Sequence, residues 1–193
     1  MRILGNIFFI TILCLTACSP NGNSKLPILG KVADAQFEFL SQDSTLINPQ
    51  TFENKVYVTD FFFTTCPTIC PKMKAQMLRV YEEYEKNNEV ILLSHTIDPT
   101  HDTVAVLRDY ATRLGISSDS WLMVTGEKDA IFNVAKKYMV SALEDASQPG
   151  GFVHSGAFVL IDKKKQIRGY YDGTKEMDTN ELIDDIKVLL SEG

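Results

Sequence analysis

The chain is short of the features that mark several classes of protein. It has one tryptophan, three histidines and four cysteines in 193 residues. Four cysteines are too few for a secreted disulfide scaffold, though enough for a metal site or a redox pair. Basic residues are in the minority, 19 Lys and Arg against 25 Asp and Glu, for a formal net charge of −6. With no lysine or arginine stripe to compensate, that balance excludes a basic nucleic-acid binder. No apolar run is long enough for a membrane-spanning helix, which needs about 20 residues. The rest is ordinary: 45% hydrophobic and 23% charged residues, which supports a packed core and argues against disorder or a fibre. The length fits one domain with appendages.

Residues 1–18 read MRILGNIFFITILCLTAC. One arginine, Arg2, precedes an apolar stretch from Ile7 to Leu15, the layout of a secretory signal peptide. Leu15-Thr16-Ala17-Cys18 resembles the bacterial lipobox, in which the leader is cut before the cysteine and its sulfur takes a diacylglyceryl group. An ordinary secretory signal with an incidental cysteine is the plainer alternative. Residues 19–30, SPNGNSKLPILG, show no periodicity and read as a flexible tether. The expectation is therefore a signal peptide over 1–17, a lipidated Cys18 with its tether over 18–30, and one domain over 31–193. Extended, the tether reaches about 40 Å. The domain would be anchored to a bacterial membrane without spanning it, in the periplasm or another oxidising extracytoplasmic space. Cys14 would leave with the leader.

From Lys31 the pattern alternates. Phe37, Phe39 and Leu46 flank a polar turn and suggest a hairpin; Pro49–Phe52 suggests one helical turn. Residues 55–63 (KVYVTDFFF) and 89–97 (EVILLSHTI) are nearly all apolar, as central strands covered on both faces should be. Met73, Met77, Leu78, Tyr81 and Tyr84 recur at helical spacing within 71–86. Asp102 is a candidate cap for a helix over 103–114, closed by Gly115. A strand over 121–125, a helix over 129–139, a hairpin of 157–162 with 166–171 across Lys163-Lys164-Lys165, and a helix over 178–190 complete the chain. The order predicts an α/β fold, a mixed sheet with helices on both faces and an N-terminal hairpin extension. Sites in such sheets form at strand ends.

The first parallel strand runs into Thr64-Thr65-Cys66-Pro67-Thr68-Ile69-Cys70-Pro71. Pro71 suits a helix start, which puts Cys66 in the loop and Cys70 at the helix mouth, where the dipole favours thiolate. Three readings compete: a structural disulfide closing a very small loop, a thioredoxin-type redox pair with one residue too many between the cysteines, and a metal site. The metal site needs a further ligand. His154 lies 84 positions beyond Cys70, just before the strand 157–162. If that strand is antiparallel to 55–63, His154 faces the two thiols.

These segments resemble the Sco/SenC family, thioredoxin-like copper proteins of cytochrome c oxidase assembly. Residues 60–71, DFFFTTCPTICP, match its Cys-Pro-x-x-Cys-Pro motif. Residues 94–103, SHTIDPTHDT, match its Asp-Pro-x-x-Asp-Thr segment, and the His154 loop with FVLID after it matches its histidine loop and next strand. The resemblance implies copper ligands Cys66, Cys70 and His154, a reversible Cys66–Cys70 disulfide, and a part in maturing the CuA centre of an oxidase subunit. Copper delivery and reduction of that subunit's cysteines, with a thiol reductant protein as the further partner, are both open. His95 and His101 depart from the family pattern and read as non-ligands. No proline stands just before the His154 strand, where related oxidoreductases keep a cis-proline.

Two thiolates and an imidazole form a soft donor set that suits Cu(I) without a fourth ligand, and Cu(II) heads the divalent affinity order. Zinc would want a fourth donor, and Asp98 is the available one, as an outer partner or an occasional ligand. Met73 and Met77 read as core rather than a methionine copper relay, and Lys163–Lys165 as a solvated turn. The rival function is a thiol-disulfide oxidoreductase or peroxidase-like enzyme without metal. Thr65 would suit a peroxidatic cysteine, but no arginine stands near it in sequence.

Overall fold

The structure is a computed structural model that describes residues 25–32 and 36–192. The expected leader, the lipidation site at Cys18 and the first half of the tether lie outside the described residues. In chain order the elements are β1 (Gly30–Lys31), β2 (Phe39–Ser41), β3 (Leu46–Ile47), a short 3-10 turn at Pro49–Phe52, β4 (Val56–Phe62), α1 (Cys70–Tyr84), β5 (Val90–Thr96), α2 (Val104–Leu114), β6 (Trp121–Thr125), α3 (Lys128–Lys137), β7 (Ala142–Glu144), β8 (Phe152–His154), β9 (Ala157–Ile161), β10 (Gln166–Asp172) and α4 (Glu176–Ser191). Eight strands form one mixed sheet in the order β1-β10-β9-β4-β5-β6-β2-β3.

Its centre is parallel. β4 and β5 pair in register from Val56 opposite Val90 to Phe62 opposite Thr96, and every residue of both strands is buried. Their aromatic and β-branched composition follows from being covered on both faces. One cover is α1, whose buried stripe of Met73, Lys74, Met77, Val80, Tyr81 and Tyr84 has helical spacing. Met73 and Met77 are fully buried, as core methionines should be. Truncating either to alanine would cost about 3 kcal/mol. α2 lies on the same side, its Tyr110 ring 5.7 Å from Phe62, and α4 packs beside α1. On the opposite face Tyr138, at the end of α3, packs against Phe61 and His95. This is the expected thioredoxin-like α/β arrangement.

Several local readings are corrected. The cap of α2 is Thr103, whose side chain accepts from the Val106 N–H; Asp102 is turned inward instead. Gly115 does close the helix, in the left-handed region at φ 70°. Residues 26–30, expected as tether, run along β10. Leu29 N–H donates to the Ile167 carbonyl, and Arg168 donates to the carbonyls of Leu26 and Pro27. The β2–β3 hairpin caps the far edge through Leu40 opposite Thr125. Among the described residues no helix is long and apolar enough to cross a membrane.

The β7–β8 ribbon was not anticipated, because its two three-residue strands are too short to show a period and are separated by a loop with proline and glycine. Its turn passes through Gly150 at φ 85° and Gly151 at φ 81°. A Cβ at Gly150 would also come within 2.7 Å of the Phe63 ring, so glycine both permits the turn and lets it close over the chain after β4.

Candidate metal centre

The site is built where β4 ends. Past Phe62 the chain turns through residues 63–69 and enters α1 at Cys70. β9 pairs antiparallel with β4, Thr59 opposite Val159, so its start lies at the end of β4. The ribbon strand β8 ends at His154, three residues before β9 begins. The topology thus returns His154 to the cysteines, as the antiparallel expectation required.

The loop is clamped from below. Asp102 is fully buried, and its carboxylate accepts from the Thr64 N–H at 3.0 Å, the Thr96 hydroxyl at 2.5 Å and the Thr64 hydroxyl. It therefore ties the residues before Cys66 to the end of β5. His101, half exposed, puts Nδ1 3.0 Å from the same carboxylate, which holds its pKa above the usual imidazole value.

Cys66, Cys70 and His154 are all buried, and one ligand atom from each lies within 4.8 Å of the others. Nε2 of His154 is 3.0 Å from Sγ of Cys70. Nδ1 is 3.0 Å from the Ser155 carbonyl. A carbonyl only accepts, so the ring proton sits on Nδ1 and the lone pair of Nε2 faces the sulfur. The Phe63 ring meets the imidazole edge-on at 6.0 Å and packs on Phe152. A cleft of about 150 Å³, lined in part by Thr68, Ile69, Pro149 and Val153, opens over Cys66 and His154.

Electrostatics separate the two thiols. Burial raises Cys66, but hydrogen bonds from Cys70, from the backbone of Thr68 and Cys70 and from the Thr68 hydroxyl outweigh it, and its pKa falls. Cys70 goes the other way, raised by its deeper burial and then by its bond to Cys66. Burial also lowers His154, although the Ser155 carbonyl pulls it up, so the ring is neutral at pH 7. The result is one thiol prepared for thiolate, one held as a proton donor, and an imidazole with a free lone pair. That set can take a soft ion in exchange for protons, or exchange electrons through the sulfurs.

The other candidates lie apart. The Asp98 carboxylate accepts from the His101 N–H at 3.4 Å, and its carbonyl from the Asp102 N–H. It shapes the turn before α2 and is not in the three-donor cluster. His95 is fully buried among Phe61, Phe39, Phe37 and Tyr138. Lys163 pairs with Glu89 at 2.6 Å. The Asp102 clamp, the Ser155 carbonyl and the buried pair of Asp60 with Lys74 were missed in the sequence. Only the last had left a signal there, an aspartate inside an otherwise apolar strand.

The SCO1/SenC family profile matches residues 28–191. The chain is similar to a SCO1/SenC family lipoprotein from Bacillus anthracis, 27% identical with a TM-score of 0.72, over 80% of this chain and 93% of that one. It is 25% identical to BsSco, which has a disulfide switch and belongs to the Sco family of cytochrome c oxidase assembly proteins; the TM-score is 0.74, over 86% and 98% of the two chains. Copper-bound yeast Sco1 shares the fold at 24% identity and a TM-score of 0.64, over 83% and 90%.

Proposed function

The chain belongs to the SCO1/SenC family, and from that premise we propose that it is a copper chaperone and thiol-redox factor whose ligands are Cys66, Cys70 and His154. The observation that carries the reading is the convergence of three soft donor atoms within 4.8 Å at the end of β4. Copper is cargo here. Two thiolates and one neutral imidazole suit Cu(I) in trigonal coordination, and Cu(II) binds the same donors more tightly than other divalent ions do. The copper-bound yeast protein of the same fold supports that choice.

A second activity is favoured by the unequal thiols. The lowered Cys66 suits attack on a partner disulfide, and Cys70 suits resolution of the mixed disulfide that forms. Closing the Cys66–Cys70 bond removes both sulfur ligands, so metal binding and thiol exchange exclude one another. The partner is the oxidase subunit that bears CuA, in keeping with the assembly role of the BsSco family. A thiol reductant protein returns the pair to its reduced form.

Lipidation at Cys18 after removal of residues 1–17 holds the domain at a bacterial membrane with the site in the extracytoplasmic space. The Bacillus anthracis relative, a lipoprotein, supports this.

Copper titration of the protein before and after oxidation tests the reading. One copper per reduced chain is expected, with a thiolate-to-Cu(II) absorption band that vanishes on oxidation. If Cys66→Ala/Cys70→Ala retains copper as tightly as wild type, the site is elsewhere.

A further inference from the structure

Beneath the three donors lies a charge pair with no role in ligation. Asp60 sits mid-strand in β4 with its carboxylate fully buried. Lys74, 2% exposed, donates from Nζ to Asp60 Oδ2 at 2.8 Å and to Ser94 Oγ at 2.9 Å. Ser94 in turn donates to Asp60 Oδ1 at 2.5 Å and accepts from Trp121 Nε1 at 2.9 Å. The ammonium also lies 4.0 Å over the Phe62 ring. Each of these side chains is satisfied, yet an apolar pair of similar volume is often at least as stable as a buried ion pair. Stability alone does not account for it.

Its position does. Lys74 is one helical turn beyond Cys70 on the same buried stripe of α1. Cys70 and Lys74, four apart, are neighbours on one face of α1, and Asp60 is 2.8 Å from the Lys74 ammonium. Both halves of the pair are felt at the donors through a low-dielectric interior.

We propose that the buried Asp60–Lys74 pair sets the oxidation-state preference of the Cys66–Cys70–His154 site, Lys74 favouring Cu(I) and Asp60 favouring Cu(II). The charge arithmetic is direct. Either ion displaces two thiol protons to solvent. Cu(I) with two thiolates and a neutral imidazole leaves the site with one negative charge; Cu(II) leaves it neutral. A nearby cation stabilises the anionic site and a nearby anion opposes it. Lys74 and Asp60 act as positioning residues through their field, without touching the ion. The inference rests on the copper reading and specifies which redox form that site retains.

The test compares Cu(I) and Cu(II) affinities, each by chelator competition, in wild type, Lys74→Gln, Asp60→Asn, the double variant and Lys74→Arg. The amides remove the charge while leaving a polar group of similar size in each position. Lys74→Gln should lower the Cu(I):Cu(II) affinity ratio about tenfold, a 59 mV fall in the one-electron potential of bound copper. Asp60→Asn should raise it, the double variant should lie between the two single variants, and Lys74→Arg should match wild type. If one single variant does not fold, the other single variant decides, and an unchanged ratio there overturns the proposal. Shifts of the same sign in both single variants also overturn it. A wild type that binds no copper sinks the copper reading itself; a copper-binding wild type with unshifted variants sinks only this inference.

Discussion

His154 Nε2 stands 3.0 Å from Cys70 Sγ across 84 positions of sequence, with the opposite ring nitrogen held by the Ser155 carbonyl. The imidazole is therefore oriented before any ion arrives, which keeps the entropic cost of assembling three donors small. His154→Ala should weaken Cu(II) binding more than Cu(I), because two thiolates alone remain a workable set for Cu(I). Competition titrations of both ions check this; no loss for either ion would mean the ring is not a ligand.

The two thiols should differ in reactivity. Cys66 has the lowered pKa and lies beneath the cleft, whereas Cys70 is raised and 1% exposed. Limited alkylation at pH 7.5, read by peptide mass, should modify Cys66 first. Preferential labelling of Cys70 would reverse the assigned order of attack and resolution.

Asp102→Ala removes the clamp that joins Thr64 to Thr96. The buried Thr96 hydroxyl and two part-buried donors of Thr64 lose their acceptor together, at a cost of about 3 kcal/mol in unfolding free energy. Denaturant unfolding measures that cost. Amide exchange at Thr64 should quicken, and copper affinity should fall although no ligand has changed.

His95 makes stability depend on pH. Burial pushes its pKa down to about 3 from 6.5, and neither ring nitrogen has a hydrogen-bond partner. The unfolded chain takes up the proton first as pH falls. Its contribution is thus whole above about pH 6.5 and declines toward pH 3, by about 1.4 kcal/mol per pH unit. His95→Phe, among Phe37, Phe39 and Phe61, should gain on wild type by about 2 kcal/mol between pH 7.5 and pH 5. Urea unfolding at the two values reads the difference, and a constant gap would refute the assignment.

Arg168 fastens the N-terminal edge. It is 5% exposed, donates to the Leu26 and Pro27 carbonyls, and pairs with Asp162 and Glu192. Arg168→Met should expose Lys25 and Lys31 to trypsin and destabilise the domain by about 3 kcal/mol, since it strands two acids. Digestion at the wild-type rate would show that β1 holds without it.

The central strands, the helices and the identity of the three donors were legible because hydrophobic period and residue chemistry are local properties of the chain. The β-branched and aromatic run over 55–63 reads as a buried strand, and Cys66, Cys70 and His154 as the donors for a soft ion. The β7–β8 ribbon left little trace, since two three-residue strands are too short to carry a period. Asp102 looked like a helix cap because Asp and Thr are both good caps and only packing chose between them.

The sequence by itself determined which elements form and which side chains can do the chemistry. Only the tertiary structure decided where each buried polar group finds its partner: Asp102 under Thr64, the His154 ring against the Cys70 sulfur, Lys74 on Asp60. The reason is physical. Burial pattern is written along one segment at a time, whereas satisfying a desolvated charge or lone pair depends on which distant segment arrives beside it.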